Sequence, residues 1–524
     1  MWRDSPALRA LKKCQSRAEI GAPGRPLPLE TLALAVVLGL TAVRAVVAGT
    51  ALLSPDEAYY WLWTRPLQLS YYDHPAMVAY WIRAGTAVLG DTALGVRAPA
   101  VLGSLLVSLL VWDTARLAFQ SRRVGALSAI WLNATILFCA MGVTITPDTP
   151  LLLFWSLALW SVMRLLRSGQ ARWLYVLGGA LGLGALSKYT IALILPGILA
   201  VFLLFPALRP WWHRRHLYLA VLLGLACVVP LLLWNLQNDF VSFDKQLDHA
   251  FAARVDRPAH HFGEYVASQA GLLTPLVFLF CLWGMGWALW SGWRHRRPGW
   301  FLLGATSLPV AVFFAHHSLT SMVQAHWAGP AYVGGVVAAV GGWASLRRDG
   351  WPHRLFIAAP ILGLVLSLAV YVQAATALLP IPVKFDPLKR LGGWDDLARA
   401  VQQEREAHPG VFLFAQKHDV CGVLSFGLSD HPPVFLQSWR LRPSFYGEEE
   451  VAVLKGRDGL FVTRAKDDGA HLLGRFFDDV RLVRQVPLSW GGRPTEDYNI
   501  HLATGYHGGL FVRGDGFRGR KDGE

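Results

Sequence analysis

The sequence predicts an α-helical integral membrane protein with about eleven transmembrane helices and a small C-terminal α/β domain outside the bilayer. Three observations predict it. Of 524 residues, 54% are hydrophobic and only 16% charged, whereas soluble domains carry roughly 25% charged residues; mean hydropathy is +0.36. Apolar spans of about 15–25 residues recur up to position 379, near the length that crosses a bilayer. After Pro380, charged helix-like runs alternate with short apolar strand-like runs.

Residues 1–30 form a basic arm (Arg3, Arg9, Lys12, Lys13, Arg17, Arg25). It is too long and polar for the leading region of a signal peptide. The apolar run 31–53 also exceeds a signal core, so it reads as an uncleaved first helix. Further spans lie at 96–118, 124–143, 149–166, 173–187, 189–206, 217–234, 264–290, 300–316, 327–345 and 354–376. Only Ser187-Lys188 divides 173–187 from 189–206.

The connections alternate in charge. One set carries Arg122-Arg123, Arg164/Arg167/Arg172, Arg209/Arg214/Arg215, Arg294/Arg296/Arg297 and Arg347/Arg348/Arg354. The other carries Asp56/Glu57/Asp73/Asp91, Asp148, Lys188 and Asp239/Asp244/Asp248/Asp256. The positive-inside rule places the N-terminus and the Arg-rich set in the cytoplasm. An odd number of helices then places the C-terminal domain outside. Two outer loops are long: 54–95, with aromatic runs broken by Pro55, Pro66 and Pro75, and the polar 235–263, a candidate lid. The soluble domain spans 380–506, with a helix-like run from Trp394 to His408. Its strand-like runs are Val411–Phe414, Val434–Leu436 and Leu460–Val462, and a Gly/Arg-rich tail, 507–524, is expected to be disordered.

Net charge is +14. It reads as topogenic charge on cytoplasmic loops; the Arg clusters are short and separated by apolar spans, which argues against nucleic-acid binding. The 23 Trp suit interfacial belts. The five Cys (14, 139, 227, 281 and 421) have no zinc spacing, and Cys421 stands alone in the soluble domain, so no disulfide forms within it. No internal repeat of the secondary-transporter kind is visible.

The densest chemistry follows the first span: Ser54-Pro55-Asp56-Glu57-Ala58-Tyr59-Tyr60, then Tyr71-Tyr72-Asp73-His74-Pro75. Carboxylates beside a bilayer are costly. Ser54-Pro55-Asp56-Glu57 reads as a helix cap with acids in the first turn, or as chemistry at the lipid surface. Asp73-His74-Pro75 reads as a turn before Pro, or as a carboxylate orienting a His toward an anion. Lys188 reads as a snorkelling helix-end cation, or as a phosphate contact on an otherwise acidic face. Arg97 has the same two readings. Arg44, inside the first span, requires a partner or an outward snorkel. Asp148, in Thr146-Pro147-Asp148-Thr149-Pro150, is most simply a turn.

In order along the chain, Asp56-Glu57-Ala58-Tyr59-Tyr60, Tyr72-Asp73-His74-Pro75, Gly95-Val96-Arg97-Ala98-Pro99 and Leu186-Ser187-Lys188-Tyr189 resemble the motifs of polytopic GT-C glycosyltransferases. The group they resemble most is glycosyltransferase family 39, of the protein-mannosyltransferase type, which includes bacterial aminoarabinose transferases. The resemblance covers about residues 30–345. It implies a GT-C-like fold in the bacterial inner membrane and a polyprenyl-phosphate sugar donor. It also implies catalysis at Asp56 and basic residues on the lipid phosphate. Aminoarabinose transferases carry a Glu-Lys-Pro-Pro type element where this chain has Asp73-His74-Pro75-Ala76, and an Arg where it has Tyr59. Two phosphate or sugar contacts therefore differ.

A sugar phosphate leaves as a stable anion, so transfer needs one base at the acceptor hydroxyl and fixed cations at the phosphate. One carboxylate suffices, unlike the pair of hydrolases, so inversion is expected. Asp56 is the expected catalytic residue; Glu57, Tyr59, Asp73, His74, Arg97 and Lys188 are the expected substrate-binding residues. No cofactor is expected, although a divalent metal is compatible with Asp56, Glu57 and Asp73. The acceptor is a lipid, polysaccharide or protein group at the outer face. The alternatives are a polyprenyl-lipid or polysaccharide flippase, and a membrane anchor whose soluble tail does the binding.

Overall fold

Among the described residues, seven helices are long and apolar enough to cross a bilayer, and they carry the fold. The computed structural model describes residues 28–251, 257–346, 349–437 and 448–511; most of the basic arm, Arg347-Arg348 and 512–524 lie outside them. The seven are α1 (Pro28–Thr50), α4 (Ala93–Phe119), α7 (Asp148–Ser168), α10 (Arg215–Gln237), α13 (Pro275–Arg294), α14 (Pro298–His317) and α16 (Trp351–Thr376). Between them run the shorter α2 (Pro55–Leu62), α3 (Met77–Leu89), α5 (Arg122–Asn133), α6 (Ile136–Met141), α8 (Arg172–Ala185), α9 (Leu195–Leu204), α11 (Val241–Phe251), α12 (Pro258–Leu273) and α15 (Gly329–Leu346).

Several expected spans are broken. The run 124–143 is two helices, because Thr135 caps a new one at Phe138 N. The run 264–290 is divided at Thr274, which has φ 69° and is followed by Pro275. The run 189–206 opens with a 3₁₀ turn, Tyr189–Ile194. Hydropathy registers apolar length and is blind to such backbone breaks.

Small residues let the helices approach. A Cβ on Gly178 would collide with the Ala220 carbonyl, and one on Gly182 with Gly224, so α8 and α10 lie backbone to backbone. Arg44 is fully buried in α1. It does not snorkel: its Nε donates to the Tyr371 hydroxyl at 2.9 Å and one terminal nitrogen to Ser104 Oγ at 3.2 Å.

The C-terminal part holds, among the described residues, a five-stranded sheet in the order β2-β1-β3-β5-β4. The strands are β1 (Phe412–Ala415), β2 (Val434–Leu436), β3 (Gly459–Arg464), β4 (Asp479–Trp490) and β5 (Arg493–Thr504). β1 pairs parallel with β2 and β3, whereas β5 pairs antiparallel with β3 and β4. Strand β1 is buried throughout because both faces are covered. One face packs on α17 (Trp394–Ala407) and α18 (His418–Gly427), the other on an aromatic cluster with Phe477, Tyr506 and Phe511. Leu510 and Phe511, within the expected tail, are buried in that cluster.

The two parts share a core. Ala58, Trp61 and Leu62 of α2 are buried in one cluster with Val420, Val423 and Leu424 of α18. Gly422 permits the contact, since a Cβ there would lie 2.6 Å from Tyr59 N.

Candidate active site

The site begins with the division of an acid pair. Neighbouring helical residues diverge by about 100°, so Asp56 and Glu57 face different surroundings. Ser54 is the N-cap of α2: its Oγ accepts from Glu57 N at 3.4 Å, and Glu57 Oε2 accepts from Ser54 N at 2.9 Å. This is a capping box with Pro55 at the first helical position.

Glu57 is fully buried and bound by Arg97, whose Nε lies 2.8 Å from Oε1 and whose terminal nitrogen lies 2.7 Å from Oε2. Ile145 N donates to Oε1 at 3.1 Å. Burial opposes ionisation of Glu57, but Arg97 and the backbone donors more than offset it and hold the carboxyl below its usual range. Arg97 also donates to the carbonyls of Ala48, Ala51 and Leu52. A guanidinium has five N–H donors, and these contacts occupy all of them. Glu57 and Arg97, expected as substrate contacts, pair with each other and with backbone groups inside the protein, holding the end of α1 to α2 and α4.

Asp56 faces the other way. It lines a cavity of about 240 Å³ with His74, Lys188, Lys245, Trp327 and His418. Its carboxylate makes no hydrogen bond or ion pair among the described residues. Burial of its surroundings raises its pKa; the Arg390 charge acts against this, and the Asp419 charge adds to it.

The other expected residues reach the same cavity. Tyr59 donates its hydroxyl to Asp73 Oδ2 at 2.5 Å. Lys245 of α11 pairs with Asp73, and Gln246 Nε2 donates to the Asp73 carbonyl at 2.7 Å. Helix α11 is thus fastened to Asp73 at the cavity wall. Lys188 Nζ bridges both Asp148 oxygens at 2.9 and 2.8 Å, and lies 5.0 Å from the Trp327 ring centre. Asp148 is therefore the counter-ion of Lys188 as well as the start of α7. His74 lines the wall.

Lys245 and His418 were not singled out from sequence. Lys245 had a weak signal, a cation in an acidic outer loop. His418 sits 4.3 Å, ring to ring, from Tyr59. It follows the carboxyl end of β1, the place where open α/β sheets gather ligands; only the topology reveals this.

Of the three possible metal ligands, Glu57 is committed to Arg97 and Asp73 to Lys245 and Tyr59. Among the described residues, the one cluster of three such ligands is His260, His261 and Glu264 on α12, which is not part of the cavity wall.

The family described as dolichyl-phosphate-mannose-protein mannosyltransferase matches residues 73–234. The structure superposes on the crystal structure of ArnT from Cupriavidus metallidurans bound to undecaprenyl phosphate. The TM-score is 0.62 at 17% identity, covering 90% of this chain and 97% of that one. The lipid A galacturonosyltransferase RgtD of Rhizobium johnstonii is 28% identical over 447 residues, 83% of this chain and 91% of that protein. The chain is a glycosyltransferase with a GT-C-like fold. An undecaprenyl phosphate-α-4-amino-4-deoxy-L-arabinose arabinosyl transferase of Sodalis glossinidius is 29% identical over 310 residues, and the alignment covers 54% of that relative. These relatives are transferases, which favours covalent chemistry over the flippase alternative. The transferase is a multi-pass membrane protein, and Asp56, on the short helix that follows α1, lines the cavity.

Proposed function

We propose that this transferase moves a sugar from a polyprenyl-phosphate donor to an acceptor hydroxyl at the outer face of the bacterial inner membrane, with inversion. The observation that carries the reading is Asp56: an unpaired carboxylate in a cavity whose other charged lining groups include Lys188 and Lys245. The acceptor oxygen attacks the anomeric carbon and its proton passes to Asp56. The bond from that carbon to the phosphate oxygen breaks, and the polyprenyl phosphate leaves with the electron pair. Lys188, Lys245 and His74 supply positive charge where the phosphate charge builds. Tyr59 and Asp73 set the wall against which the sugar rests, while Glu57 and Arg97 are positioning residues that fix α2. The Arg-rich connections support a cytoplasmic N-terminus and a periplasmic soluble domain.

The test is transfer in proteoliposomes from an undecaprenyl-phosphate-linked sugar by the wild type and Asp56→Asn. Loss of a general base lowers the rate by about 10²–10⁴-fold, with donor binding kept. Near-normal transfer by the variant would exclude Asp56 as the base.

A further inference from the structure

The ion pair of Lys188 and Asp148 poses a problem for the donor phosphate. Lys188 lines the cavity, but its Nζ sits 2.9 and 2.8 Å from the two oxygens of Asp148, which is not part of the cavity wall and is almost wholly buried. A lysine closed on a carboxylate presents little net charge to an incoming anion. For Lys188 to serve the phosphate, a second cation must balance Asp148. The structure supplies one. His326 Nε2 lies 3.4 Å from Asp148 Oδ2. Among the described residues, Asp148 has these two cationic partners, Lys188 in the cavity wall and His326 outside it. The His326 side chain is 33% exposed, against 8% for Lys188 and 3% for Asp148, so the histidine is the member of the three that exchanges protons readily with water.

The turn that carries His326 is fixed by buried polar groups. It is the 3₁₀ turn Ala325–Ala328. Gln269 of α12 donates to the Ala325 carbonyl at 2.8 Å and accepts from the Tyr332 hydroxyl of α15 at 3.0 Å. Gln269 and Tyr332 are both buried. The next residue of the turn, Trp327, has its ring centre 5.0 Å from Lys188 Nζ. Consecutive side chains of one turn thus contact both members of the ion pair. Of the helices packed on the turn, α14 brings His317 to the cavity, and α12 and α15 bring the phenols Tyr265 and Tyr332, a group that stays neutral at ordinary pH. The cavity wall also carries Asp56, Asp73, His74, Lys245 and His418.

We infer that His326 is a positioning residue for the donor: when protonated it balances the Asp148 carboxylate and frees the Lys188 ammonium for the phosphate. Binding of the phosphate is then accompanied by uptake of a proton at His326, and affinity is highest where that imidazole is charged. The inference rests on the phosphate role of Lys188 and adds the residue that makes Lys188 available.

The probe for the test is undecaprenyl methyl phosphate, a phosphodiester whose single negative charge is constant across the histidine range. Its binding to the full-length protein in nanodiscs is measured from about pH 5.5 to about pH 8.5, either side of the ordinary histidine value. Wild-type affinity is expected to fall about tenfold as pH rises over that range, the equivalent of one pKa unit. His326→Asn should hold the weak value throughout and His326→Lys the tight one, both without a slope. With an undecaprenyl-phosphate-linked sugar, His326→Asn should raise the donor KM by a similar factor and leave kcat at saturating donor unchanged. A slope that survives in His326→Asn would belong to another cavity imidazole and overturn the inference. So would a flat wild-type profile, or a lowered kcat at unchanged donor KM. In an Asp148→Asn background, which removes the competing carboxylate, His326→Asn should have no further effect; a full effect there would mean that His326 acts by another route, and would also overturn it. Where that double variant does not fold, His326→Lys decides alone. Failure of the transferase reading looks different, because the probe carries no sugar to transfer. Binding that depends on pH through His326, with no transfer to any acceptor, keeps the proton linkage and removes the reaction. A flat binding profile in a protein that transfers normally does the reverse.

Discussion

Arg97 and Glu57, forty residues apart, face each other in a two-pronged ion pair at 2.8 and 2.7 Å with almost no exposed surface. Removing one partner strands a buried charge, at a cost of about 3–5 kcal/mol. Arg97→Ala and Glu57→Ala are each expected to lower the thermal unfolding temperature in detergent sharply. A role in donor binding would instead give a normally stable protein with a raised donor KM. Because the Glu57 pKa is lowered from 4.5, its contribution is present above that value and is lost as pH falls through the depressed one.

Asp56 has the opposite sign. Its pKa is raised from 3.8, so the reactive carboxylate forms only as pH climbs through a higher value. Transfer rate is expected to rise with pH through that limb and then level off. Arg390 holds the value down, so Arg390→Ala should move the limb to higher pH; a limb that stays in place would show that Arg390 does not act on Asp56. The stability arising from the raised pKa is lost as pH rises through it, so near neutrality Asp56→Asn should be as stable as the wild type or more so. A fall in unfolding temperature would mark Asp56 as structural.

Gly422 is the point where α18 touches the backbone of α2. A Cβ there would lie 2.6 Å from Tyr59 N and 2.7 Å from the Ala58 carbonyl carbon, and backbone cannot yield as a side chain does. Gly422→Ala is expected to cost about 1–3 kcal/mol and to withdraw His418 from Tyr59. Limited proteolysis should then release the soluble domain faster while membrane insertion is normal. Unchanged proteolysis and activity would mean that the two parts are not rigidly joined there.

Lys188 lies between a carboxylate and an aromatic face. With the donor bound, its ammonium is expected to contact the lipid phosphate as well as Asp148. Lys188→Ala should weaken binding of undecaprenyl phosphate by about tenfold, the scale of one charge-assisted hydrogen bond. Equal affinity in the variant and the wild type would confine Lys188 to pairing with Asp148.

The membrane character, the soluble domain and the acid pair were legible because each is local. Apolar length, charge alternation and Ser54-Pro55-Asp56-Glu57 are written in neighbouring residues. Which acid would face the cavity was not legible, since it depends on Arg97 arriving beside Glu57. Lys245 and His418 were hidden for the same reason: one needs α11 folded over Asp73, the other needs a sheet-domain helix docked on α2. The long β4–β5 hairpin did leave a signal. Gly491-Gly492, both at positive φ, form the two-residue turn between alternating strands.

Arg44 has a consequence for how the protein is made. Its hydrogen-bond partner Tyr371 lies 327 residues downstream, so the first helix enters the bilayer long before that partner is synthesised. Ser104 of α4 can meet one terminal nitrogen earlier, but until Trp351–Thr376 arrives the Nε of a charge that costs about 2.5–3.5 kcal/mol to insert lacks its acceptor. Closure of the bundle around Arg44 is thereby tied to the arrival of that helix, and a chain truncated before it leaves the guanidinium short of one acceptor.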